Sequence, residues 1–172
     1  MNTKLNIRDI MLTAPVIPVL VVEDPAQAVP LAQALTNGGL RVLEFTLRTA
    51  SALESISAVA QEVPDAIVGV GTVNDPEDMQ RASDAGACFA VSPGFTPGLA
   101  AAALDAGLPY LPGVASASEV LAARASQLTA LKFFPAVQAG GPAMLKALQG
   151  PFADTVFCPT GGINADLSLI HI

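Results

Sequence analysis

The 172-residue chain has little charge and even less positive charge: 13% of its residues are charged, and eight Lys and Arg stand against fifteen Asp and Glu, for a net charge of −7. Neutralising a phosphate backbone takes a stripe of cations, so nucleic acid is excluded as an expected partner. No apolar run reaches the ~18 residues that a membrane-spanning helix needs. The opening MNTKLNIRDIMLTAP scatters its charges instead of placing a basic cluster before an apolar core. A cytoplasmic protein with no membrane partner is therefore expected. Cys88 and Cys158 are the only cysteines, and neither has a Cys or His neighbour at metal-ligand spacing. The single histidine, His171, lies near the C-terminal end, where a catalytic role is not expected. No metal and no cofactor are anticipated, and both thiols are expected to be reduced and buried. A dinucleotide fingerprint is also missing, because the first apolar run, VIPVLVV, is followed by Glu23-Asp24-Pro25 rather than Gly-x-Gly-x-x-Gly. GVGT (69–72) and TGGI (160–163) have the wrong spacing for one. Their absence argues against a Rossmann fold.

What the chain has in quantity is apolar sequence, 52% of its residues, enough for the core of one domain spanning 1–172. Apolar runs alternate with Ala-rich segments every ~20–26 residues, the length of a strand-plus-helix unit. The expected strands are VIPVLVV (16–22), LRVLEFT (40–46), AIVGVG (66–71), ACFAVS (87–92), LPYLPG (108–113), ALKFFP (130–135) and TVFCPT (155–160). They are apolar on both faces, as strands of a covered parallel sheet are. Asp24-Pro25, Asp75-Pro76 and Thr96-Pro97 read as helix starts, with a capping oxygen followed by a proline that has no N–H to lose. Gly38-Gly39, Gly86 and Gly107 read as helix ends. A repeat of this kind favours an α/β fold of the (β/α)8 TIM-barrel class.

Barrel chemistry gathers at the C-terminal ends of strands. The polar residues expected there are Glu44, Thr46 and Arg48 after the second strand, Thr72 after the third, Ser92-Pro93-Gly94 after the fourth, Lys132 in the sixth, and Thr160-Gly161-Gly162 after the seventh. Lys132 is one of only three lysines and sits inside LTALKFFPAV. Desolvation and a nearby cation such as Arg48 would favour its neutral amine, making it a Schiff-base candidate. A snorkelling or salt-bridged structural lysine is the other reading. Lys4 and Lys146 read as surface charges. Glu44 alternates with Leu43 and Phe45, so its carboxylate can face an interior and relay protons, or else form a packing ion pair with Lys132 or Arg48. Arg48 carries a planar fork suited to a carboxylate or phosphate, or to a rim salt bridge. The Gly161-Gly162 turn leads toward an expected helix start and offers backbone N–H groups to an anion, although such turns are often no more than turns.

Taken in order, LEFTLRT, GTV, SPG, KFFPA and CPTGGI resemble the bacterial family of 2-keto-3-deoxy-6-phosphogluconate and 4-hydroxy-2-oxoglutarate aldolases. The resemblance covers nearly the whole chain. It implies a class I, metal-free lyase of the Entner–Doudoroff pathway, a homotrimer, that splits a keto-acid into pyruvate and an aldehyde. By motif, Lys132 would form the Schiff base and Glu44 would be the acid/base. Arg48 and Thr72 would hold the pyruvyl carboxylate, and Pro93 and Phe134 would shape the pyruvate pocket. Thr160 would contact substrate, with Gly161 and Gly162 binding phosphate. After CPTGGI the family continues through a helix, an eighth strand ending in Gly-Gly-Ser and a last helix, whereas this chain reads NADLSLIHI. The expectation is thus a C-terminally incomplete barrel of about seven strands with the eighth missing. Two functions follow, an active aldolase or a catalytically impaired pyruvate-binding or scaffolding subunit.

Overall fold

A computed structural model describes residues 5–164; Lys4 and His171 lie outside the described residues, as does most of the NADLSLIHI end. The chain divides into two compact units, one of residues up to Ser92 with Gly98–Leu111, the other of Pro93–Pro97 with the residues from Pro112 on.

The first unit carries a parallel sheet in the order β1 (Val19–Leu20), β2 (Val42–Thr46), β3 (Ile67–Gly71), β4 (Phe89–Val91), β5 (Tyr110–Leu111). Helices α1 (Ile7–Thr13), α2 (Ala28–Asn37), α3 (Ala52–Glu62), α4 (Glu77–Asp84) and α5 (Pro97–Asp105) precede or follow its strands. Strand β2 is buried at every position, and Val42, Leu43 and Phe45 are almost wholly removed from water. Helix α3 packs on β2 and β3 with Ala52, Ser55, Ile56 and Val59 buried, a spacing of three, one and three residues that makes one helical face. Each such large side chain stabilises the unit by about 1.5–3 kcal/mol of transfer free energy.

The second unit carries a parallel sheet of β6 (Gly113–Val114), β7 (Ala130–Phe133) and β8 (Val156–Pro159), with helices α6 (Ala117–Ala125) and α7 (Gly141–Gln149). Its core joins Leu131 and Phe133 of β7 to Val120 and Ala123 of α6 and Leu145 and Leu148 of α7. Ser116 caps α6 while the Glu119 carboxylate accepts from Ala115 N–H at 2.8 Å, so the exposed first turn of α6 is satisfied from both sides.

All seven expected strands are present, and the described residues form eight. The run LPYLPG breaks at Pro112, whose lack of an N–H ends β5 before β6 begins. Burial on both faces holds for β2 to β7 but not for β1 or β8, each an end strand of its sheet: Val19 of β1 is 40% exposed, and β8 has no buried position, with Val156 38% exposed. The expected caps divide in the same way. The Asp24 carboxylate accepts from Ala26 N–H at 3.0 Å and opens a 3-10 turn, and Pro97 begins α5. The Asp75 side chain caps nothing, because the backbone carbonyls of Asp75 and Pro76 already accept from Asp78 and Met79 N–H. Gly39, Gly86 and Gly107 take the left-handed conformation expected of helix ends. Neither thiol is in a disulfide, but the expectation of burial fails: Cys88 is exposed and Cys158 half-buried. Ala87 and Phe89 on either side of Cys88 are buried, so the alternation that sends them inward turns Cys88 out. No described helix is long and apolar enough to cross a membrane.

Candidate active site

In the first unit the polar candidates stand at neighbouring strand ends. Glu44 is 4% exposed, and its carboxylate lies where Gly71 has no side chain; a Cβ on Gly71 would fall 2.2 Å from Glu44 Oε1. Parallel register pairs Glu44 with Gly69 and Thr46 with Gly71, so the Glu44 carboxylate is led along the face of β3 over Gly71. Sequence reasoning treated GVGT as a failed phosphate motif and missed this. A glycine inside a strand signals close approach of another group, and that signal was available. One residue past β2, Leu47 N–H donates to Gly71 carbonyl at 2.9 Å, and Val73 N–H donates to Val91 carbonyl at 3.2 Å. Thr72 lies between these two bonds with φ of 60°, a left-handed conformation that a β-branched residue adopts at a cost of about 1–3 kcal/mol. Arg48, exposed in the turn two residues past β2, and half-buried Thr72, one residue past β3, thus both follow the ends of adjacent parallel strands.

Thr46 and Ser92, also expected at this rim, are occupied structurally. Thr46 Oγ1 donates to Leu20 carbonyl at 2.9 Å and ties β1 to β2. Ser92 Oγ and Tyr110 Oη share a hydrogen bond of 2.6 Å, both residues being buried. Burial pushes the Tyr110 phenol up to about 12, and the Ser92 bond opposes this only in part.

The second unit gathers the remaining six candidates. Lys132 is 6% exposed on β7, between Leu131 and Phe133, which are fully buried in the core on the opposite face. Its Nζ lies 5.4 Å from the centre of the Phe134 ring, on the same face of the strand by the two-residue period. Lys132 pairs in register with Gly113 on β6 and Cys158 on β8. Gly113 has to be a glycine, since a Cβ there would stand 2.1 Å from Pro93 carbonyl oxygen; the Pro93 backbone therefore lies against the strand position next to Lys132. On the other side, Thr160 N–H donates to Phe133 carbonyl at 2.9 Å, while Ala136 and Val137 N–H donate to Thr160 and Gly161 carbonyls at 2.8 and 3.2 Å. Gly161 and Gly162 both take left-handed φ, 102° and 74°. The helix expected after them does not begin within residues 161–164. Lys146 is exposed on α7, as expected.

A primary amine on a buried lysine can add to a carbonyl, and a fold of left-handed glycines can present N–H groups to an anion. No group of three or more His, Cys, Asp or Glu that could hold a metal ion occurs among the described residues.

Comparison with known proteins agrees with this chemistry. The family model described as KDPG and KHG aldolase matches residues 7–168. A 2-dehydro-3-deoxy-phosphogluconate aldolase of Pseudoalteromonas atlantica is 49% identical over 95% of this chain and 76% of its own length. The KHG/KDPG aldolase of Escherichia coli K12 is 48% identical over the same shares. Among solved structures, the KDPG aldolase of Legionella pneumophila with pyruvate captured at low pH as a covalent carbinolamine intermediate superposes with a TM-score of 0.92. It is 43% identical, and the match covers 95% of this chain and 79% of that one.

Proposed function

The chain belongs to the KDPG and KHG aldolase family, and from that premise we propose that it cleaves 2-keto-3-deoxy-6-phosphogluconate to pyruvate and glyceraldehyde 3-phosphate through Lys132, with 4-hydroxy-2-oxoglutarate as a second substrate yielding pyruvate and glyoxylate. It is a class I aldolase. The observation that carries the assignment to Lys132 is a lysine only 6% exposed on β7, with its amine beside the Phe134 ring.

Lys132 Nζ attacks C2 of the keto-acid, the C–N bond forms, and the carbonyl oxygen takes a proton to give a carbinolamine. Loss of water leaves an iminium whose positive charge withdraws electrons from C3. Glu44 takes the proton from the C4 hydroxyl, the C3–C4 bond breaks, and its electron pair moves into the iminium as an enamine while the aldehyde departs. Protonation at C3 and hydrolysis then release pyruvate. In this reading Arg48 and Thr72 hold the pyruvyl carboxylate, Pro93 and Phe134 bound the pyruvate pocket, Thr160 contacts substrate, and Gly161 and Gly162 offer N–H groups to the phosphate. The positions of Arg48 and Thr72 just past the ends of adjacent parallel strands and the left-handed glycines support these roles. The working assembly is a homotrimer in the cytoplasm, and light scattering of the purified protein tests the trimer.

Borohydride reduction in the presence of pyruvate, followed by peptide mapping, tests the assignment. The adduct is expected on the peptide containing Lys132. Modification of Lys146 instead, or no adduct in a folded sample, overturns it.

A further inference from the structure

Phe134 holds a position that packing alone does not require. Leu131 and Phe133 supply the core face of β7, whereas Lys132 and Phe134 share the other face, and the Lys132 amine lies over the aromatic ring at 5.4 Å from its centre. The backbone on both sides of Phe134 is tied down, and Gly161 lies against the ring edge. Phe134 N–H donates to Val114 carbonyl at 3.1 Å, Ala136 N–H donates to Thr160 carbonyl at 2.8 Å, and a Cβ on Gly161 would stand 3.5 Å from Phe134 Cδ2. The face of a benzene ring carries partial negative charge and attracts a cation within about 6 Å of its centre. During catalysis the nitrogen of Lys132 alternates between neutral and cationic forms. Carbinolamine and enamine are neutral, and the iminium between them is a cation.

We propose that the Phe134 ring acts electrostatically, stabilising the protonated Schiff base on Lys132 relative to the carbinolamine before it and the enamine after it. This rests on the Schiff-base assignment made above for Lys132. Dehydration of the carbinolamine breaks its C–O bond, and the hydroxyl leaves as water with one added proton. The positive charge then appears on the C=N nitrogen, which is Lys132 Nζ itself, beside the ring. A ring that favours this charge shifts the bound population toward the form able to withdraw electrons from C3. Comparing two bound forms makes the effect independent of the resting amine, which the same ring also influences.

The test replaces Phe134 with 4-fluoro-, 3,5-difluoro- and 3,4,5-trifluorophenylalanine, which leave the ring's shape nearly unchanged while draining its face of negative charge. Each folded variant is saturated with pyruvate and inactivated with cyanoborohydride, which reduces the iminium and not the carbinolamine. Complete loss of the interaction corresponds to about a threefold to tenfold fall in the trapping rate. The expected result is a stepwise decline along the series, reaching about that fall for the trifluoro ring and for Phe134→Leu. A flat series overturns the proposal, including the case in which Phe134→Leu alone is slow, since that is a shape effect. Peptide mapping of the unsubstituted protein separates the two readings. If the adduct is not on Lys132 the Schiff-base assignment fails, whereas an adduct on Lys132 with a flat series leaves that assignment standing and removes the ring's role.

Discussion

Raising the pH toward 12 is expected to destabilise the protein through one side chain, Tyr110, and replacing it should reverse the order of stability between variant and parent. Tyr110 is 4% exposed, and burial pushes its phenol from 10.0 to about 12. A phenol whose folded value lies above its unfolded value binds its proton more tightly in the folded state. Its contribution is therefore fully present below pH 10 and is lost as pH rises through the interval from 10 to 12. At pH 11.5 the loss is about 2 kcal/mol, a large part of a typical net stability. Tyr110→Phe removes the hydroxyl bonded to Ser92 Oγ and should cost about 1 kcal/mol at pH 7. With no phenol to ionise, the variant escapes the alkaline loss, so the two stability curves cross at roughly pH 10.7. All other charged groups are the same in both proteins and cancel in the difference. Urea unfolding followed by circular dichroism at several pH values measures the curves. Because Tyr110 is the only tyrosine and the chain has no tryptophan, tyrosinate absorbance at 295 nm reports this one group. A native-state absorbance midpoint at 10, or stability curves that stay parallel to pH 11.5, refutes the reasoning.

Filling the space under Glu44 offers a second test. Gly71→Ala is expected to displace the carboxylate and, like Glu44→Gln, to lower cleavage about 10²–10⁴-fold while pyruvate trapping on Lys132 persists; near-normal turnover in both would leave Glu44 a structural role only. Arg48→Ala removes a charge-assisted contact worth about 1.5–3 kcal/mol and should raise KM with little change in melting temperature, since Arg48 is exposed; an unchanged KM rules out the carboxylate contact. Thr72→Gly relieves a left-handed conformation at φ 60°, so stability should stay within about 1 kcal/mol of the parent or rise, while substrate binding weakens for want of the hydroxyl. Destabilisation well beyond that in urea unfolding would show the Thr72 side chain to be needed for folding instead.

Seven apolar runs, their order and the residues at their ends were legible in the sequence because each depends on local chemistry. Lys132 stood out as a cation within LKFFP, and LEFTLRT marked Glu44 and Arg48 before any contact was known. The break of LPYLPG into β5 and β6 was signalled by Pro112 and read past. The exposure of Cys88 was not legible, because an apolar segment such as ACFAV does not say which residue its alternation turns outward. The exposure of β1 was hidden for a related reason: VIPVLVV reads the same whether a second strand lies beside it or not.

By itself the sequence determined the alternation of strand and helix and the family, and it singled out Lys132 as the candidate amine, since periodicity, turn chemistry and a rare lysine in an apolar run are properties of neighbouring residues. Only the tertiary structure decided what surrounds those groups. Glu44 lies over Gly71 because parallel register brings residues 27 positions apart into contact. Thr72 is held left-handed because bonds at Gly71 and Val73 bind it to β2 and β4. Ser92 is engaged by Tyr110, 18 residues on, across two paired strands. Such contacts depend on which strands are neighbours and in what register, and no stretch of sequence carries that information alone.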